Sequence, residues 1–88
     1  MQGALACGDA AQSIRRKLAA RRLAREAALR RRLEKAKSGA DLPASAKPAD
    51  LARYVSTILE GMAVQAASGA GRRELQRVVE TAMRAWPA

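Results

Sequence analysis

The 88 residues contain no histidine, no phenylalanine, one cysteine, one tryptophan and one tyrosine. Without histidine, no Ser-His or Cys-His catalytic pair exists. With Cys7 as the sole thiol, an intrachain disulfide and the usual zinc ligand sets are excluded as well. Cys7 reads first as a small apolar residue and only second as a reactive thiol near a basic helix. Glu60, Glu74 and Glu80 occupy outward helix positions, and no GxxxxGK phosphate loop is present. No catalytic residue, cofactor or metal site is expected, and the chain does not read as an enzyme. It also lacks a basic-then-apolar leader and any run near the ~18 apolar residues that cross a bilayer. The expectation is a soluble, cytoplasmic protein with no membrane partner.

Large apolar side chains are scarce too. The hydrophobic fraction of 49 % is mostly alanine, which favours helix but contributes little transfer free energy. A core of about fifteen of the Leu, Ile, Val, Met and Trp side chains, at roughly 1.5–3 kcal/mol each, opposes an ordering cost of about 1.5 kcal/mol per residue. Such a chain is marginal alone, and a second copy or another covering segment is expected.

What is present is helical periodicity. In Leu51–Ser68, LARYVSTILEGMAVQAAS, the residues Leu51, Val55, Ile58, Leu59, Met62 and Ala66 fall within roughly a quarter of the helix circumference. Tyr54, Gly61 and Gln65 form a second strip beside them, and Val64 lies on the far side, so this helix is expected to meet two partners. Gly61 costs about 1 kcal/mol relative to alanine inside a helix; close approach of another backbone is the usual compensation. Arg72–Trp86 forms a further helix whose stripe is Leu75, Val78, Val79, Ala82, Met83 and Trp86, with Pro87 ending it. Ser68–Gly71, SGAG, is a tight turn that makes these two helices antiparallel neighbours.

Ahead of them, residues 1–8, MQGALACG, read as the tail of a preceding helix closed by Gly8. Asp9, with Gln12 at capping-box spacing, opens a long helix over residues 9–38. Its inward positions are Ala11, Ile14, Leu18, Leu29, Leu33 and Ala36. Arg22 and Arg25 fall on the same face, and Glu26 is placed to pair with Arg30. Ser38–Pro48 is a loop in which Gly39 caps the first helix, Leu42 pins the loop to the core and Pro48 begins the next helix. Lys47 lacks an N-cap acceptor, which leaves the first-turn amides to Asp50.

The net charge of +9 is uneven: Asp9–Lys37 carries eleven basic residues against three acidic ones, and Gly39–Ala88 six against five. Two readings stand, a solvated helix face and a stand-alone basic helical protein that binds nucleic acid non-specifically. The cations carry no interleaved aromatics for base stacking. The one helix that follows a tight turn, from Arg72, needs its stripe for the core, so no sequence-specific DNA binding by this chain is expected.

Read in order, GALACGD, the Arg/Ala helix ending SGADLP, and KPADLARYVSTILEGMAVQAASGAGRRELQRVVETAMRAW resemble the C-terminal half of a TetR-type bacterial transcriptional regulator. The resemblance covers essentially the whole chain, and its most specific parts are DLARY, LEGMAVQAASGA and VVETAMRAW. It departs from the family at Lys47, where an Asp usually precedes the proline, and at Gly71, where a Ser or Thr usually caps. The resemblance implies an all-α regulatory domain over residues 1–88: a long arm helix, then an antiparallel hairpin over residues 48–86 that forms a four-helix bundle on homodimerisation. The dimer face would comprise Tyr54, Ile58, Gly61, Met62, Val64 and Gln65 with Leu75, Val78, Val79, Ala82 and Trp86. Ile14, Leu18, Arg22, Arg25 and Leu29 would face a small-molecule effector. The operator-reading helix-turn-helix and the early sensing helices of such regulators have no counterpart among these residues, and the sequence leaves open whether Met1 is a natural start or a truncation.

Overall fold

A computed structural model of the protein describes residues Gln2–Pro87, with side chains from Gly8 onward, so the reading of Cys7 falls on a side chain outside those described. The described residues form three helices and no strand: α1 (Gln2–Ser38), α2 (Pro48–Ala67) and α3 (Arg72–Arg84). The break expected at Gly8 and Asp9 is absent, and α1 runs through both. A single interior glycine costs about 1 kcal/mol, which the helix absorbs without ending.

Both long helices close in the same way. At the end of α1, Asp41 N–H donates to Ala36 O at 2.8 Å and Ala40 N–H to Lys37 O at 3.1 Å, a Schellman pair. At the end of α2, Ala70 N–H donates to Gln65 O at 2.9 Å and Gly69 N–H to Ala66 O at 3.1 Å. The left-handed residue is Gly69 (φ 102°) in α2 but Ala40 (φ 65°) in α1, one position beyond the glycine expected to serve there. A left-handed alanine costs about 1–2 kcal/mol. Ala40→Gly is therefore expected to raise stability by about 1 kcal/mol, read as a higher urea midpoint; an unchanged or lower midpoint would mean that the turn is not held as described. Neither Lys47 before α2 nor Gly71 before α3 makes a side-chain cap bond, and Asp50 and Glu74 supply first-turn negative charge.

The core is small: Leu33, Leu42, Ala46 and Ala52, with Leu29, Ala36, Leu51 and Trp86 packed against it. Leu42 anchors the loop there, 7 % exposed. α1 meets α2 on the side of Ala52 and Ser56, beside the Leu51–Ile58–Met62 stripe instead of on it. Ala52 is completely buried, and a side chain that small lets the two backbones approach. Farther along, Arg22 Nε stands 3.3 Å from Glu60 Oε1, which places the inward-facing arginine on a partner in α2. Being part exposed, the pair contributes at most about 1 kcal/mol. The expected Glu26–Arg30 pair is replaced by Arg30–Glu34 at 2.9 Å. Glu26 lies toward α2, in a hollow shared with Leu23, Ala49 and Arg53.

α2 lies between α1 and α3, which make no close backbone approach to each other. The result is long and flat, 58 × 30 × 14 Å, with a radius of gyration of 17.2 Å, against about 12 Å for a compact chain of this length. The first half of α1 runs past the end of α2, and Ile14 and Leu18 are each 58 % exposed. An isolated helical segment is marginal in water. Amides of Ala11–Leu18 are therefore expected to exchange on the order of 100-fold faster than those of Leu29–Leu33; equal protection in a hydrogen-exchange experiment would show that something covers that arm.

Candidate functional site at an uncovered apolar groove

The strongest amphipathic stripe of the chain is left without a cover. α2 contributes Tyr54, Val55, Ile58, Leu59 and Met62, and α3 contributes Val79, Ala82 and Met83; with Trp86 these line a groove of ≈ 330 Å³. Each reaches it by helical spacing: positions 55, 58, 59 and 62 share one face of α2, and 79, 82, 83 and 86 one face of α3 and its exit. Because α1 takes the small-residue side of α2, the long apolar side chains remain in the open.

The distribution of exposure makes the same point. Leu59, Val79 and Met83 on the groove, and Val64 and Val78 beyond it, are large apolar side chains in contact with solvent, and among the described residues no large side chain is fully buried. The accessible surface is 7207 Å², where a compact monomer of 9.4 kDa exposes about 5,000 Å².

Of the expected dimer-face residues, the structure brings Tyr54, Ile58, Met62, Val79, Ala82 and Trp86 together on the groove. Gly61, Val64, Gln65, Leu75 and Val78 lie outside its lining. At Gly61 an added Cβ would meet nothing within 4 Å, so no close approach inside the chain explains this glycine. Val55, Leu59 and Met83 belong to the groove and were absent from the expected face, although periodicity already put all three on the apolar stripes.

Of the expected effector-facing residues, Arg25 and Leu29 meet Ser56 and Leu59 around a second hollow of ≈ 190 Å³. Arg22 is engaged with Glu60. Ile14 and Leu18 lie on the unaccompanied part of α1 and do not join them. That volume is below the roughly 300–1,000 Å³ of ordinary small-molecule sites. Among the described residues no cluster of His, Cys, Asp or Glu is placed to hold a metal ion, and no helix is long and apolar enough to cross a membrane.

Comparisons with protein-family models, with curated proteins and with solved structures find no match to this chain.

Proposed function

We propose that this chain is a homodimerisation module, the dimerisation and partial effector-sensing region of a TetR-type transcriptional regulator. α2 and α3 act as a helical hairpin that pairs with the hairpin of a second copy in a four-helix bundle. The observation that carries the reading is the open groove of Ile58, Met62, Val79 and Trp86 beside a buried core of only four of the described residues. Burying a side chain of this size yields about 1.5–3 kcal/mol. A second copy laid on the groove supplies what the first lacks.

The area agrees with this. The chain exposes about 2,200 Å² more than a compact monomer of its mass, and an obligate dimer interface removes about 1,000–2,500 Å² from each partner. The unaccompanied stretch of α1 accounts for part of the excess. On this reading α1, with Arg25 and Leu29 over the second hollow, forms one wall of a sensing body and leaves the hairpin face free for the partner.

Sedimentation equilibrium tests the proposal. A species of twice the 9.4 kDa protomer mass is expected across the micromolar range, with stability rising with protein concentration. A well-folded monomer at all concentrations would remove the reading.

A further inference from the structure

We propose that the outward face of α1 binds the phosphate backbone of duplex DNA, without regard to sequence, through Lys17, Arg21, Arg25, Arg31, Arg32 and Lys35. This goes beyond dimerisation and does not rest on it.

The cations of α1 surround much of the helix when counted by residue, but the packing sorts them. α2 takes the side of Arg22, Leu29 and Leu33. At about 100° per residue, the six residues above fall in an arc of roughly 120°, which turns away from that contact except at its Arg25 edge, where it borders the hollow shared with Ser56 and Leu59 of α2. All six are exposed. None of the three acids of α1 lies in the arc: Asp9, Glu26 and Glu34 all project outside it. Two ion pairs are formed among the described residues, and they use Arg22 and Arg30, so the six have no carboxylate of the described residues within 4.0 Å. Ala20, Ala24 and Ala28 lie among or beside them and keep the surface low, with Arg31, Arg32 and Lys35 bordering a shallow hollow beside Ala28 whose far rim is Glu34, itself paired with Arg30. A polyanion can therefore approach the helix closely along its length.

The dimensions fit a duplex. Lys17 to Lys35 spans about 27 Å at the helical rise, the length of about eight base pairs. The B-form major groove is about 12 Å wide and admits an α-helix, while the deep, narrow groove of A-form RNA does not. Arginine, four of the six, suits phosphate oxygens through its planar fork. The arc has no aromatic side chain on which unpaired bases would stack, which favours duplex over single strands. It has no Asn or Gln to read adenine edges, and the contacts assigned here are to the backbone phosphates, which carry no sequence information. An anionic membrane is disfavoured, because only Ile14 and Leu18 adjoin the arc and interfacial helices bury a broad apolar face.

The full chain is titrated with a mixed-sequence 20-base-pair duplex by fluorescence anisotropy from 50 to 200 mM salt. Six phosphate contacts predict a slope of log K against log salt near −5, about 1,000-fold weakening over that range. The variant Arg21→Gln/Arg31→Gln/Lys35→Gln is expected to reduce the magnitude of the slope by about 3. The control Arg53→Gln/Arg73→Gln/Arg84→Gln, with the same loss of charge on α2 and α3, is expected to leave it unchanged. Gln is a good helix former, and circular dichroism checks that both variants keep their helix. A second readout needs no variant: duplex should protect Lys17 and Lys35 from acetylation and leave Lys47 reactive. Equal slope losses in the two triple variants, or equal protection of all three lysines, overturns the ridge in favour of diffuse net charge. Binding to phosphatidylserine vesicles that persists at a salt concentration where duplex is released overturns it in favour of a membrane surface.

Discussion

Truncating Trp86 to alanine is expected to cost about 2–3 kcal/mol of stability, just below the roughly 3–5 kcal/mol of core aromatic truncations because the ring is only partly buried. Among the groove-lining residues, Trp86 alone also packs against the Leu33–Leu42–Ala46–Ala52 cluster. It therefore holds the end of α3 to the α1–α2 pair and, in a dimer, sits where aromatic anchors dominate interface energetics. Val78→Ala, on an exposed position of the same helix, should cost under about 1 kcal/mol. Urea unfolding of the two variants at one fixed protein concentration checks the contrast. A Trp86→Ala loss no larger than that of Val78→Ala would mean that the α3 end is not anchored through the indole.

The three helices and their limits near Ser38, Pro48 and Arg72 are readable in the sequence because the period and the turn residues agree there. Proline at the first turn, two glycines around Ala70 and long alternations of Ala with Leu or Arg leave little choice. The stop at Gly8 is not real because a lone glycine within a helical run, here with Ala6 and Ala10 on either side of Cys7-Gly8-Asp9, is a cost and not a terminator. The left-handed Ala40 is invisible in sequence, since nothing in SGAD says whether the glycine or the residue after it turns the chain.

Which side of α2 faces α1 is the larger lesson. Hydrophobic weight points to Leu51, Ile58 and Met62, but packing follows shape, and the alanine side lets two backbones approach while the bulky side cannot. From that one choice follow the Arg22–Glu60 pair, the open groove, and the separation of the α1 cations into an engaged side and a free side. None of these is visible in a helical projection of one helix, because each depends on how two helices are placed against each other. The groove itself was largely readable: six of its nine lining residues already carried the expectation of an intermolecular contact.

The sign of the effect at Gly61 separates a monomer from a dimer more sharply than any other substitution. Within the chain an added Cβ meets open space, and in an isolated monomer Gly61→Ala should raise stability by about 1 kcal/mol through helix propensity alone. If α2 crosses its two-fold mate close to this residue, the same methyl enters the crossing from both copies and the gain shrinks or reverses. Gly61→Leu extends the argument. Overpacking a tight contact costs about 1–3 kcal/mol, and a symmetric interface incurs it twice, so the dimer dissociation constant should rise by about 30-fold to more than 10,000-fold at 1.4 kcal/mol per decade. Sedimentation of wild type, Gly61→Ala and Gly61→Leu at equal concentration reads the association, and urea midpoints read the fold. A leucine variant that sediments like wild type, together with an alanine variant stabilised by the full propensity gain, would place the helix crossing elsewhere than Gly61.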